Sequence, residues 1–481
     1  MSIALYFLRE YILYINVLFI LIIILIEKRN PLYTLFWIMI LILAPYFGFV
    51  LYLFLGLKFQ KRRRAEKYYK WKFSHSRDII GAADRADLNK WRQLISYLDI
   101  SSKSKLTTSN AVEIFTLGRK FFDRMKADIE NAQKSVNLEY YLFRYDGLGR
   151  EMAELLIRKV KSGVNVKIII DGASSVDKSM LKSLSEAGCQ VRRFFPWHFL
   201  FLKIASLRVN YRDHRKLTII DDKIGYIGGF NIGDEYLGKG ELGNWRDTAV
   251  RIHGDCVLEL QKEFYFSWGI VNDKDDFDLL ELPYRTDSRD VLSPEQLVDA
   301  TYMQVVSSGP NYQYRTMRDN FLKIILEAQR YIYVQTPYFV PDEIILEALK
   351  VAATSGVKIK IMIPEKCDHI FMKWVNQYFA GELIDLGVKI YRYRNGFLHS
   401  KLVLADDEVA SVGSANFDYR SLYQNFEINV NIYDTAMVKE FARIFRDDAR
   451  LSDQIFTKQF KNRGILAKCA EAVFRLLAPI L

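Results

Sequence analysis

A chain of 481 residues, half of them apolar and 14% aromatic, is long enough for two or three domains with well-buried cores, and its composition excludes a disordered or low-complexity protein. A formal net charge of +11 calls for an anionic partner, phospholipid or nucleic acid. The four cysteines (Cys189, Cys256, Cys367 and Cys469) include no CxxC pair, which argues against a zinc site and reads as small buried hydrophobes in a reducing compartment.

In chain order the apolar signal comes first. Residues 11–26 carry no charge, and residues 30–57, "NPLYTLFWIMILILAPYFGFVLYLFLGL", carry none over 28 residues. Crossing a bilayer takes roughly 20 apolar residues, so the second run spans with tilt and Pro45 kinks it. The first run is slightly short and borrows from Ile3 to Leu8. No small-residue cleavage site follows Ile26, so a transmembrane hairpin over 1–57 is expected in place of a cleaved signal peptide. Next, "KFQKRRRAEKYYKWK" sets eight basic residues against one acid, Glu66, and the positive-inside bias places the N-terminus and everything after residue 58 in the cytoplasm. Residues 58–105 are assigned to a basic juxtamembrane linker able to hold anionic head groups.

The remainder contains an internal duplication. "NAQKSVNLEYYLF" (131–143) matches "EAQRYIYVQTPYF" (327–339), "SGVNVKIIID" (162–171) matches "SGVKIKIMIP" (355–364), and "EAGCQVRRF" (186–194) matches "DLGVKIYRY" (385–393). The repeated unit reads strand, helix, strand, helix, strand, then a motif strand. This predicts two α/β domains, 106–271 and 301–462, each with a largely parallel sheet covered by helices on both faces. The acidic, turn-rich stretch 272–300 is the linker between them, and 463–481 is a tail.

Each copy ends in one constellation. His214, Lys216 and Asp221 in "HRKLTIID" are followed by Gly228-Gly229-x-Asn231, while His399, Lys401 and Asp406 in "HSKLVLAD" are followed by Gly413-Ser414-x-Asn416. One HxK on a strand is common by chance; two with equal HxKx4D spacing in a duplicated unit are not. Positions i and i+2 of a strand share a face, so each His points the same way as its Lys. Asp221 and Asp406 fall at an odd offset by the strand end, suited to bracing a turn, and are counted with the catalytic set as motif members. If the copies pack about a pseudo-two-fold axis, one cavity holds two His, two Lys and two Asn. That set suits a phosphodiester: lysines and amides neutralise its oxygens, one neutral imidazole attacks phosphorus, and the other, protonated, serves the leaving alcohol. No metal or cofactor is expected. An acid behind each ring would fix its tautomer; Glu427, 28 residues after His399, and Asp247, 33 after His214, are the candidates. Asn231, Asn416, Ser414, Asp247 and Glu427 complete the substrate-binding set. The other histidines, His75, His198, His253 and His369, lack such context.

These segments, with "QTPYFVPDE", "SVGSANFDYRSLYQNFE", the hairpin and a terminal "FRLLAPIL", resemble the phospholipase D superfamily over essentially the whole chain, and most closely its bacterial cardiolipin synthases. The resemblance implies two pseudo-symmetric phospholipase D-like mixed-sheet domains. It also implies phosphatidyl transfer between two phosphatidylglycerol molecules, with His214 forming the phosphohistidine and His399 acting as acid, then base. The expected partners are phosphatidylglycerol and the anionic membrane, not nucleic acid. A hydrolase with the same site, either a phospholipase D or a nuclease, and a membrane protein that only binds anionic lipid or protein partners and carries a relic motif, are the competing readings. Gly229 standing where the second copy has Ser414 hints that the halves are not chemically equivalent. In the tail, Lys468, Glu471 and Arg475 share one helical face while Leu466, Ala470, Val473 and Leu477 line the other, which fits either a membrane-surface helix or an ordinary docking helix.

Overall fold

The computed structural model describes residues 11–12, 14–21, 31–52, 86–172, 177–194, 211–272 and 301–478. The acidic linker from 273 to 300 and the basic run from 58 to 85 lie outside the described residues. The described N-terminal helices belong to one compact unit, and the described residues from Ala86 onward belong to a second.

In the N-terminal unit, residues 14–21 are helical, and the second apolar run forms two helices, Pro31–Leu43 and Pro45–Leu51. Pro45 has no N–H to give the Leu41 carbonyl, so the helix breaks at Ala44 instead of merely kinking. Asn16 supplies the missing donor: its Nδ2 reaches the Leu41 and Pro45 carbonyls, each at 3.1 Å. Phe19, Trp37 and Tyr52 close the contact edge to face. No helix among the described residues is long and apolar enough to cross a membrane.

The second unit contains two sheets. The first uses β1 (Asn110–Phe115), β2 (Ser135–Tyr140), β3 (Asn165–Asp171), β4 (Gln190–Phe194), β5 (Lys216–Ile220), β6 (Ile224–Gly228) and β8 (Ala249–Gly254), with β7 (Trp245–Arg246) set apart. The second uses β9 (Tyr302–Ser308), β10 (Tyr331–Gln335), β12 (Lys358–Pro364), β13 (Lys389–Tyr393), β15 (Leu402–Ala405), β16 (Val409–Gly413), β18 (Glu427–Tyr433) and β19 (Ser452–Ile455); β11 (Phe339–Val340), β14 (Phe397–Leu398) and β17 (Phe417–Asp418) are short pairs outside it. The orders are β1-β8-β6-β5-β2-β3-β4 and β9-β18-β16-β15-β10-β12-β13-β19. The second repeats the first strand for strand and adds β19 at one edge, as a duplication requires.

The sheets are mixed, as the family resemblance implies, which corrects the largely parallel sheets expected from the strand–helix alternation. Only β2-β3-β4 and β10-β12-β13 run parallel; the motif strands and their neighbours are antiparallel. The cause is local. Asp221 and Asp222 have φ of 52° and 58°, and Asp406 and Asp407 have 59° and 60°, so each pair forms the centre of a tight turn within the short connection that folds a strand straight back on itself.

A shared core joins the halves: Leu217, Val250 and Phe264 of the first pack in one cluster with Val305, Leu402 and Val430 of the second. The two halves therefore form one body, not two beads on a linker. Residues 86–105, assigned by their basic flank to the linker, also belong here. Leu88, Trp91, Leu94, Ile95 and Leu98 fill the outer core of the second half, at the helical spacing of a buried stripe.

Candidate active site

Backbone pairing across the halves positions both histidines. Asp213 bridges Phe426 in parallel, and His214 N–H donates to the Phe426 carbonyl at 3.0 Å. In the mirror arrangement β14 pairs with β7, and His399 N–H donates to the Arg246 carbonyl at 2.8 Å. The residue after Phe426 is Glu427, and the residue after Arg246 is Asp247. Each histidine is thus laid beside the acid of the opposite half. His214 Nδ1 lies 3.0 Å from Glu427 Oε1, and His399 Nδ1 lies 2.6 Å from Asp247 Oδ2. With Nδ1–H donated to a carboxylate, each Nε2 is left as the reactive nitrogen.

Lys216 Nζ donates to the His214 carbonyl at 2.7 Å, and Lys401 Nζ to that of His399. The four side chains act on one another electrostatically and form one cluster. All are strongly desolvated, with the His214 side chain the most open at 12% exposed. Burial sets the protonation states. It lowers His214 to about 4 and His399 well below its usual value, Lys216 to about 7, and Lys401 to about 8. At neutral pH both imidazoles rest neutral and the ammonium groups are poised near their midpoints.

The two acids differ. Burial opposes the charge of Glu427, yet the neighbouring His214 and Lys216 and a hydrogen bond from Ser414 hold it below the usual carboxylate range. Ser414 Oγ donates at 2.5 Å, Ser421 Oγ at 2.8 Å and Asn425 Nδ2 at 3.3 Å. Asp247 receives a single backbone donor, Thr248 N–H at 2.7 Å, and burial pushes it up to about 6. Gly229 and Ser414 explain the asymmetry. A Cβ at Gly229 would fall on the Asp247 carboxylate, whereas the equivalent space over Ser414 admits a hydroxyl that pins Glu427.

Of the five substrate-binding candidates, three therefore stand behind the imidazoles: Asp247, Glu427 and Ser414 are wholly buried and occupied with the rings or with one another. Asn231 gives Nδ2 to the Tyr236 hydroxyl at 3.2 Å and accepts from Leu142 N–H at 3.3 Å, while Asn416 lies beside Asp418. Asp221 and Asp406 sit at the far ends of β5 and β15 from the histidines. Asp221 accepts the N–H groups of Gln133, Lys134 and Ser135 at 2.7, 2.7 and 2.9 Å, stapling its turn to the start of β2. Asp406 does the same with Gln329, Arg330 and Tyr331 at 2.6, 2.8 and 2.8 Å and adds the Lys90 ammonium. Asp221→Ala should cost about 1–3 kcal/mol of stability by stranding these donors, and Asp406→Ala more, both read by denaturant unfolding. If activity is lost while stability is unchanged, the bracing role is wrong.

Three aromatic neighbours carried no motif signal. Tyr141 stands 5.1 Å from the His214 ring with the Lys216 ammonium over its face. Trp245 lies 5.2 Å from the His399 ring, and the Tyr236 hydroxyl is 3.2 Å from His399 Nδ1. Beneath the site Arg215, fully buried, reaches Ser267 at 2.9 Å, Glu263 at 3.3 Å and, from the other half, Ser307 at 2.6 Å. The second half has Ser400 there, bonded to Gln335 and Thr248.

The family described as cardiolipin synthase, PLD-like domain, matches residues 125–268 and 321–449, and the phospholipase D-nuclease N-terminal family matches residues 14–56. A cardiolipin synthase of Listeria monocytogenes serotype 4a is 39% identical, with 98% of each chain covered. One of Oceanobacillus iheyensis is also 39% identical, over 95% of this chain and 96% of that one. The crystal structure of phosphatidylserine synthase from Haemophilus influenzae Rd KW20 superposes with a TM-score of 0.57 at 14% identity, over 77% of this chain and 93% of that one, which supports the fold alone.

Proposed function

The chain belongs to the PLD-like cardiolipin synthase family of phosphatidyltransferases, and from that premise we propose that it joins two phosphatidylglycerol molecules, giving cardiolipin and glycerol. Lys216 and Lys401, with the Asn231 and Asn416 amides, hold the phosphodiester. Nε2 of His214 attacks phosphorus; a P–N bond forms, the bond from phosphorus to the glycerol oxygen breaks, and His399 gives that oxygen its proton. His399 then takes the proton from the terminal hydroxyl of a second phosphatidylglycerol. That oxygen attacks phosphorus and the P–N bond breaks. The single observation that carries this reading is the crossed pair of His–carboxylate contacts around two buried lysines.

A neutral His214 at pH 7 suits a nucleophile. His399 needs a proton, and the negative charge of an arriving phosphodiester favours it by offsetting the two ammonium groups. The lysines lose their protons as pH rises through about 7 and 8. The surface KM for lipid should accordingly climb on the alkaline side, with kcat changing less; a KM flat from pH 6 to 9 would contradict this.

We also read the N-terminal unit as a membrane-spanning hairpin that keeps the catalytic body on the cytoplasmic side. Its outward side chains, among them Leu18, Leu35, Phe36, Ile42 and Phe47, are apolar, and Asn16 satisfies the carbonyls at the proline break, as hydrocarbon surroundings demand. Release of the full chain from membranes by alkaline carbonate would overturn that reading.

The deciding assay uses purified enzyme with radiolabelled phosphatidylglycerol in mixed micelles. Cardiolipin and free glycerol in equal amounts are expected. Phosphatidic acid as the main product would make the enzyme a hydrolase. No lipid turnover, with cleavage of added nucleic acid, would overturn the proposal.

A further inference from the structure

The C-terminal helix Ile465–Phe474 leaves a wide apolar stripe on its outer side. Its inward side carries the half-buried Ala467, Ala470 and Phe474 and one buried charge, Glu471, while Lys468 and Arg475 are exposed at its border. Glu471 is 3% exposed and takes two bonds from Arg463, at 2.8 and 2.7 Å, and one from Gln377 of helix Ile370–Ile384 at 2.9 Å. Arg475 bonds the Tyr378 hydroxyl of the same helix. The apolar face is turned outward: Ile465 is 77% exposed, Leu466 83%, Val473 60% and Leu476 69%. At positions i, i+1, i+8 and i+11 these residues form one stripe. A fully paired, bidentate ion pair spent on anchoring the helix, with its hydrophobes left outside, is the arrangement expected when something apolar lies beyond them.

We propose that this face docks into an anionic lipid bilayer and holds the mouth of the active site against the membrane surface. From Phe456 to Leu476 the chain carries Lys458, Lys461, Arg463, Lys468 and Arg475 against the single acid Glu471, which Arg463 neutralises. Lys468 borders the stripe and Lys458 is exposed on the short helix before it, whereas Lys461 is paired with Asp385; anionic head groups complement the two open lysines, and a second copy of the chain would set lysine against lysine. Placement relative to the chemistry agrees. Phe474 and Ala478 pack on Val340, Met372 and Val375. Val340 belongs to β11, whose partner β17 directly follows Asn416, so the helix is anchored on strands that lead out of the second motif.

The inference rests on a lipid substrate, so its test avoids turnover. Cys469 is exposed, Cys189 and Cys256 are buried, and Cys367→Ser leaves one site for an environment-sensitive fluorophore on the full chain. The labelled protein is reconstituted into phosphatidylcholine vesicles with or without phosphatidylglycerol, with bromine on the acyl chains. Several-fold quenching is expected with phosphatidylglycerol present and is expected to be lost in Leu466→Asp/Val473→Asp, whose positions are too exposed to affect folding. Quenching in a chain that makes no cardiolipin still supports docking and fails only the proposed activity. An unquenched label, quenching indifferent to lipid charge, or a signal that tracks the protein-to-lipid ratio, as a second copy would give, each overturns docking.

Discussion

His214→Asn is expected to abolish the covalent phosphoenzyme and to lower turnover by about 10⁴- to 10⁶-fold, because the amide that replaces the imidazole cannot accept phosphorus. His399→Asn should behave differently. The adduct still forms, slowly, and accumulates, since its resolution needs a base; turnover falls by about 10²- to 10⁴-fold. The electrostatics give the two rings different backgrounds for these roles. Glu427, behind His214, is held ionised by three side-chain donors, so it steadies the positive charge that develops on a phosphorylated imidazole. Asp247, behind His399, is pushed to about 6, close to the range in which a proton passes back and forth. Rapid quench with ³²P-labelled phosphatidylglycerol separates the outcomes. A labelled adduct recovered from the His214 variant would reverse the assignment.

The second large effect tests the crossing of the halves. Glu427→Gln should lose about 10⁴-fold in turnover, as removing the acid frees the partner imidazole to adopt the wrong tautomer. Its phenotype should match that of His214→Asn, with little adduct, although Glu427 and His399 lie in the same half. Asp247→Asn should match His399→Asn, with adduct retained and slowly resolved. A double-mutant cycle makes the point quantitative: His214 with Glu427 should be strongly non-additive, and His399 with Glu427 nearly additive. If Glu427→Gln instead accumulates adduct, each acid serves the ring of its own half and the contacts at 3.0 and 2.6 Å do not persist in the working enzyme.

Much of this architecture is legible in the chain because duplication writes the same physics twice. Matched strand patterns at 162–171 and 355–364 become β3 and β12, and the alignment of "NLEYYLF" with "YVQTPYF" becomes β2 and β10, each at the same place in its sheet. Strand direction was not legible from the strand–helix alternation. The odd offset of Asp221 and Asp406 marks a turn, but the alternation does not show that the consecutive aspartates 221–222 and 406–407 both hold positive φ and so reverse the strand at once. Residues 86–105 show a related effect: a basic neighbourhood masked the helical spacing of Leu88, Trp91, Ile95 and Leu98. In the tail, the sequence gives two faces without saying which one is inward. The Arg463–Glu471 pair and the Gln377 contact mark the inward side, and both are made only in the assembled body.

By itself the sequence determined the residue types of the site, their spacing, the two-fold repetition and the family, because these depend on local order along the chain. Only the tertiary structure decided which acid backs which imidazole. Chain distance associates Glu427 with His399 and Asp247 with His214, but parallel pairing of Asp213 with Phe426 and of β14 with β7 carries each motif strand onto the opposite half. Burial, which is likewise a property of the assembled body, then set the charges: two lysines brought to about 7 and 8, one acid held ionised, and its counterpart lifted to about 6.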